Sequence, residues 1–263
     1  MNIFDIDFSQ IYREHMAAAG GREKPAAFWD ARAAEMSQHV GAGGYVRAFV
    51  DRMDLSGATT LLDVGCGTGA IALMLADRMQ RVYGLDYSRG MLDALLNNAV
   101  AQGFANVEPI QRAWEDDWSD VPACDIVVAS RSTTVRDMAA ALAKLDAKAK
   151  QRVYLTSLVG GRFIDSAVVE LLERHRPALP DYIYILNILH QMGRHPRVDY
   201  IENENRLAGA EDFDAFARKV AFSLGELSEI ERARLATWYA ADPERAKRGG
   251  KPFRWAFVSW ETR

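Results

Sequence analysis

The residues of this chain whose types and spacing best suit chemistry lie between positions 61 and 86. Leu61-Leu62-Asp63-Val64-Gly65-Cys66-Gly67-Thr68-Gly69-Ala70 is an apolar run that ends in three alternating glycines. Such glycines permit a tight strand-to-helix turn and let a ligand approach the backbone closely. Residues 65–70 loosely satisfy the G-x-G-x-x-[G/A] pattern of dinucleotide sites. Asp63 argues against a pyrophosphate: a carboxylate two residues before the first glycine repels a doubly negative group and suits an ammonium or a sulfonium. Asp86 closes the next apolar run and follows Gly65 by 21 residues. That is close to the offset of roughly 20 at which an acid accepts ribose hydroxyls. The two acids indicate an adenosine-containing ligand with a cationic far end, properties that S-adenosylmethionine combines.

Each feature also has a plainer reading. The three glycines would serve an ordinary turn, and Asp86 would serve as a helix-capping carboxylate. Cys66 reads as a small buried residue of the turn rather than a nucleophile, because no histidine partner is near it in sequence. Met91 and Trp114 suit a core as well as a binding site. Arg131 follows an apolar run at the mouth of the expected site, where it would orient an anionic substrate or pair with Asp137. His190 sits beside Leu186 and Leu189 in a helical pattern, and His195 precedes Pro196. His15, His39 and His175 show no constellation. Arg131 and His190 are the candidates for a catalytic role.

The elements that must position these residues alternate. Thr59–Val64, Arg81–Leu85, Val107–Gln111, Asp125–Ala129 and Arg152–Ser157 read as strands. Ala70–Met79 and Val135–Lys148 read as helices between them, as does a helix capped by Ser88 with Met91, Leu92, Leu95, Leu96 and Ala99 on one face. This rhythm implies a parallel sheet covered on both faces. The first 55 residues read as amphipathic helices broken by Gly20-Gly21, Pro25 and Gly41, Gly43 and Gly44. Late in the chain, residues 163–176 and 181–193 read as helices, Val198–Glu202 as a half-exposed strand, and 213–220 and 227–241 as further helices. Phe253–Trp260 reads as a terminal strand, antiparallel at or near the edge of the sheet.

Leu61–Ala70 (LLDVGCGTGA), Tyr83–Leu92 (YGLDYSRGML) and Asp125–Ser130 (DIVVAS), in this order and spacing, resemble the class I S-adenosylmethionine-dependent methyltransferases. The resemblance covers residues 55–160 clearly and extends more faintly to the end. It implies a Rossmann-like, seven-stranded, mostly parallel sheet with helices on both faces and an antiparallel last strand. It also implies that Asp63 and the Gly65, Cys66 and Gly67 backbone line the methionine moiety, and that Asp86 takes the ribose. Tyr87 and Met91 would lie against the adenine or ribose, and Ser130 would face the transferred methyl. The family often carries an acid after the third strand that reads the adenine amino group. Ala113 stands there instead, in Gln111-Arg112-Ala113-Trp114, so backbone at Ala113 and Trp114, or Glu115 and Asp116, would have to serve.

Composition sets the outer bounds. The 263 residues carry 32 Lys+Arg against 36 Asp+Glu, a net charge of −4, which gives no general attraction to nucleic acid or anionic lipid. The 2 cysteines build neither a disulfide framework nor a multi-cysteine metal site. No run approaches the roughly 18 apolar residues of a membrane span, so a cytoplasmic protein is expected. We expect one methyltransferase domain: a helical lid over 1–55, a cofactor-binding core over 56–160, and helical insertions with the last two strands over 161–263. The fourth strand ends Ala129-Ser130-Arg131-Ser132, without the Asn/Asp-Pro-Pro-Tyr/Phe run associated with amino methylation of nucleobases. That absence and the net charge count against DNA, and the helical segments 1–55 and 161–194, large enough to enclose a pocket over the strand ends, favour a small-molecule acceptor. A protein or RNA methyltransferase is a variant of the same reading. The residues alone also admit an NAD(P)-dependent oxidoreductase or a non-catalytic cofactor-binding protein.

Overall fold

The computed structural model describes residues 2–20, 24–38, 43–174, 177–203, 205, 207–249 and 252–262. His39, His175, Gly21 and Gly41 lie outside them. Seven strands form one sheet: β1 (Thr60–Val64), β2 (Arg81–Asp86), β3 (Val107–Gln111), β4 (Cys124–Ala129), β5 (Ala149–Leu158), β6 (Arg197–Asn203) and β7 (Phe253–Glu261). Their order is β3-β2-β1-β4-β5-β7-β6. The first five strands run parallel, and β7 is antiparallel to both β5 and β6. β1 lies between β2 and β4, so the chain reverses its direction of travel across the sheet there. Open sheets of this kind bind ligands outside the strand ends at such a point.

Continuous burial marks the inner strands, as expected where helices cover both faces. On one face Leu61, Ile126, Val128, Tyr154 and Phe257 pack with α4 (Gly44–Val50), α5 (Ala72–Leu75) and α6 (Arg89–Ala101). On the other, Leu62, Val64, Val127, Leu155 and Val258 pack with α1 (Phe8–Ala18), α7 (Met138–Lys148) and α9 (Tyr182–Gln191). The short helices α2 (Ala26–Asp30) and α3 (Ala33–Ser37) lie against α6. A third apolar cluster joins Val168, Leu172, Phe216, Val220, Leu235 and Ala246, from α8 (Ser166–Leu171), α10 (Phe213–Leu224), α11 (Glu229–Ala241) and α12 (Pro243–Arg248) and their ends. Pro109 falls on β3, an edge strand, where its missing N–H is tolerated.

Several helices are shorter than their apolar patterns predict. The expected helix over 70–79 reduces to α5 and a 3₁₀ turn at Ala76–Arg78, because the Asp63 carboxylate takes the Ala72 N–H at 3.1 Å and starts the helix there. The helix expected from 135 begins at Met138, since Asp137 caps it through the Ala140 N–H at 3.0 Å. The helix expected over 163–176 is α8 alone. Asp165 caps its start, and Glu173, with φ 53°, leaves the helical region just beyond its end. α12 was not foreseen; Pro243 opens it, at a position where a missing N–H costs nothing.

Candidate active site at the strand ends

The glycine loop is fixed by its own backbone. The N–H groups of Gly65 and Cys66 both donate to the Leu85 carbonyl, at 2.7 and 3.1 Å, tying the turn to the end of β2. Gly65 has φ 68°, and a Cβ there would fall 2.3 Å from the Ser132 Cβ. Gly67 has φ 54°, but a Cβ there would meet only the Met91 sulfur, at 4.0 Å. The first glycine is thus required by protein packing, whereas the second faces open space, as a ligand cradle does. Cys66 is buried, and its thiol donates to the Gly67 carbonyl at 3.6 Å. Burial, with Asp63 and Asp86 nearby, pushes that thiol well above its ordinary pKa, so it is a poor nucleophile.

Two carboxylates sit beneath this loop. Asp63 is 2% exposed, and burial pushes its pKa up to about 7, against the Ala72 N–H and with the help of Asp86. Asp86 is 7% exposed; its Oδ2 accepts from the Gly67 N–H and its Oδ1 from the Ser88 N–H, both at 2.9 Å. Burial raises its pKa, while the Ser88, Gly67 and Tyr87 N–H groups hold it back. The helix cap itself is Ser88, whose hydroxyl accepts from the Met91 N–H at 3.2 Å. A third acid arrives from the N-terminal helices. Asp30 Oδ1 accepts from the Ser88 hydroxyl at 2.6 Å and the Gly90 N–H at 2.8 Å, which lower its pKa. Among the described residues none of these three acids has a basic side chain within ion-pair distance. Tyr87 donates its hydroxyl to the Lys24 carbonyl at 2.7 Å, a second tie to the N-terminal segment.

After β3, the Ala113 N–H donates to Asp116 Oδ2 at 2.7 Å, and the Ala113 carbonyl accepts from Trp118 Nε1 at 2.9 Å. Trp114, half-buried and stacked on Trp118, donates from Nε1 to the Ser132 carbonyl at 3.2 Å. These residues therefore brace the loop after β4. In that loop the Ser132 hydroxyl donates to the Val64 carbonyl at 2.7 Å, binding it to the end of β1.

Tyr45, from α4, is the centre of a polar cluster at the end of β4. Its hydroxyl lies 2.9 Å from Ser130 Oγ and 2.7 Å from Thr156 Oγ1, and burial raises its pKa. Arg131 has φ 57°, a conformation that a side chain rarely adopts, and its guanidinium stands 4.4 Å from the centre of the Tyr45 ring. Of the two alternatives for Arg131, the pairing with Asp137 is not made: Asp137 caps α7 and takes Arg13 at 3.3 Å. Arg131 borders a cavity at the ends of β4 and β5, together with Tyr12, Ser157, Phe163, Asp181 and Trp255. His190 does not join it. That residue is exposed on α9 between the rings of Phe4 and His195, each about 6.3 Å away. Ser132, Thr156, Asp181 and Trp255 were not legible as site residues, since each is contributed by a segment without a motif. Among the described residues no group of three or more His, Cys, Asp or Glu is placed to hold a metal ion, and no helix is long and apolar enough to cross a membrane.

Comparison with known proteins agrees with this geometry. A family model described as a methyltransferase domain matches residues 61–151. An uncharacterized protein of Haemophilus influenzae is 38% identical over 265 residues, covering 99% of this chain and 98% of its own length. Geranyl diphosphate C-methyltransferase from Streptomyces coelicolor superposes with a TM-score of 0.52 at 18% identity, over 83% of this chain and 76% of its own. Coclaurine N-methyltransferase superposes with a TM-score of 0.54 at 12% identity, over 98% and 96%.

Proposed function

Because the chain belongs to the class I S-adenosylmethionine-dependent methyltransferase family, we propose that it transfers a methyl group from S-adenosylmethionine to a small-molecule acceptor. The observation that carries this reading is the buried pair Asp63 and Asp86, without a cationic partner among the described residues, beneath a loop whose Gly67 faces open space. Buried carboxylates are costly unless a positive or hydrogen-bond-donating group meets them. An ammonium near Asp63 and ribose hydroxyls at Asp86 supply both, so the residues fit this cofactor. Gly65, Cys66 and Gly67 would hold the methionine end, with Tyr87, Met91, Ala113 and Trp114 around the adenosine and Ser130 toward the methyl.

S-Adenosylmethionine supplies a methyl carbon activated by its sulfonium, so an acceptor lone pair displaces a neutral thioether and the acceptor sheds a proton where it carries one. The chain's contribution is then orientation and exclusion of water. Tyr45 keeps its proton, because its pKa is raised, and it fixes Ser130 and Thr156 at the strand ends as a positioning residue. The cavity beside Arg131, flanked by α1 and α9, is where the acceptor would sit. Coclaurine N-methyltransferase, which shares the fold, was crystallised bound to N-methylheliamine and SAH; a net charge of −4 favours a small acceptor here over a polyanion such as DNA. We read residues 1–55 as the lid, 56–160 as the cofactor core and 161–263 as the segment that shapes the acceptor side. The two free, buried cysteines suit the reducing cytoplasm.

The test is calorimetry with S-adenosylhomocysteine, followed by transfer of labelled methyl groups to small-molecule, protein and RNA fractions. Asp86→Asn should weaken binding by roughly 30-fold, as expected for loss of a charge-assisted hydrogen bond worth about 2 kcal/mol. Unchanged affinity in that variant would remove the reading, as would tight binding of NADH in place of S-adenosylhomocysteine.

A further inference from the structure

The acceptor side of the site holds polar groups that the protein itself leaves unmet. β5 and β7 pair through Leu158 and Trp255, so Trp255 stands at the end of the sheet beside the turn Val159–Gly161. The segment before α9 is clamped onto this turn. The Leu179 N–H donates to the Gly161 carbonyl at 3.0 Å, and a Cβ on Gly161 would fall 2.0 Å from the Leu179 carbonyl oxygen. The clamp fixes Asp181, whose Oδ2 accepts from the Gly160 N–H at 2.7 Å. Its Oδ1 is buried and has no hydrogen-bond partner. Trp255 is 4% exposed, and its Nε1 is likewise buried and unpartnered. Native proteins leave few buried polar atoms unmet, and those they leave call for a ligand or a water.

Both residues border the cavity that Arg131 also borders. Among the described residues neither Arg131 nor Asp181 makes an ion pair, although the two carry opposite charge on the same cavity. Arg131 stacks on Tyr45 and keeps its N–H donors for another acceptor. The remaining wall is largely apolar and aromatic, with Tyr12, Phe163 and Ile185, and it carries the hydroxyl residues Thr133, Thr134 and Ser157. A cavity with one carboxylate, one guanidinium, one indole N–H and a largely apolar wall is complementary to an amphoteric molecule. An ammonium would meet Asp181, a carboxylate would meet Arg131 and Trp255, and an apolar body would fill the space between them.

The geometry points to an acceptor that is a small apolar amino-carboxylate, with Asp181, Trp255 and Arg131 as its specificity-determining residues. This rests on the methyltransferase reading above, from which its test is separable. S-Adenosylhomocysteine affinity is measured first, on the wild type and on Asp181→Asn, Trp255→Phe and Arg131→Ala. Intact affinity shows that the cofactor side and the fold persist; its absence from the wild type would sink the methyltransferase reading itself. Three probes are then titrated into the saturated complex: phenylalanine with both charges, phenethylamine with the amine alone, and 3-phenylpropionate with the acid alone. Phenylalanine should bind at least tenfold more tightly than either single-charge probe. Asp181→Asn should weaken phenylalanine and phenethylamine about tenfold while sparing 3-phenylpropionate, and Arg131→Ala should do the reverse. Trp255→Phe should weaken the two carboxylate probes about threefold. Equal affinities for the three probes, no binding of any at millimolar concentration, or losses that ignore probe charge would each overturn the assignment.

Discussion

The glycine loop and the cavity beside Arg131 lie at neighbouring strand ends, yet they are held in opposite ways. The loop is fixed by local bonds to backbone N–H groups between Asp63 and Met91: the Leu85 carbonyl accepts from two of them, the Asp86 carboxylate from Gly67 and Ser88, and the Ser88 hydroxyl caps α6. The cavity is assembled by side chains brought from Tyr12 to Trp255, on α1, the β4 loop, the clamp before α9 and the last strand. A loop held this way depends on its backbone conformation, and hence on glycine at Gly65. A wall of distant side chains changes one residue at a time. On the proposed reading, the donor side is therefore the more tightly constrained of the two and the acceptor side the more open to substitution.

The largest expected effect separates two glycines within the loop. Gly65→Ala incurs both left-handed strain and a clash with Ser132, roughly 3 kcal/mol together. Gly67→Ala incurs the strain alone, about 1 kcal/mol, because its Cβ enters open space. Thermal melts of the ligand-free variants should differ by several degrees. Equal melting temperatures would show that packing onto the β4 loop is not what fixes the first glycine.

A second experiment uses pH to probe the buried acid. Asp63 has its folded pKa raised from 3.8 to about 7, so the folded ligand-free protein holds a proton there that the unfolded chain releases. Its contribution is therefore fully present below about pH 4 and is lost as pH rises toward 7. Melting temperature should fall across this window, and less steeply in Asp63→Asn. A cationic ligand favours the carboxylate, so affinity for S-adenosylhomocysteine should rise over the same range, by up to about tenfold per pH unit. A pH-independent affinity would mean that Asp63 does not meet the ammonium.

The smallest effect lies on the cavity side, where the constraint falls on a side chain held in unfavourable backbone. Arg131 has φ 57°, which glycine adopts freely. Arg131→Gly should be about 1 kcal/mol more stable than Arg131→Ala in chemical denaturation, and both should lose turnover alike. Matching stabilities would indicate that the β4 loop relaxes once the guanidinium leaves Tyr45.

The same contrast explains what the sequence disclosed. β1, the glycine turn, Asp86 and the Ser88 cap are encoded within a few tens of consecutive residues, and pattern reading found each of them. The end of β1 already hid a non-local event: Asp63 captures the Ala72 N–H and shortens a helix whose apolar run continues to Met79. Arg131 and Asp137 are near in sequence, but Arg13 arrives from α1 and takes the acid. Asp181 and Trp255 belong to no motif. They meet only because a clamp on Gly161 and the pairing of the last strand bring them to one cavity.

The place of β7 in the sheet has a consequence for biosynthesis. β6 has no neighbour in the sheet other than β7, and β7 follows it only after α10, α11 and α12. A growing chain must therefore carry β6 unpaired, with the exposed side of β5 beside it, until Trp255 to Trp260 have left the ribosome. The intervening helices have their own apolar cluster and can gather during that interval. A nascent chain interrupted before Phe253 leaves the edge of β5 open and β6 without its partner, and its cavity lacks Trp255, a form suited to aggregation or to a chaperone.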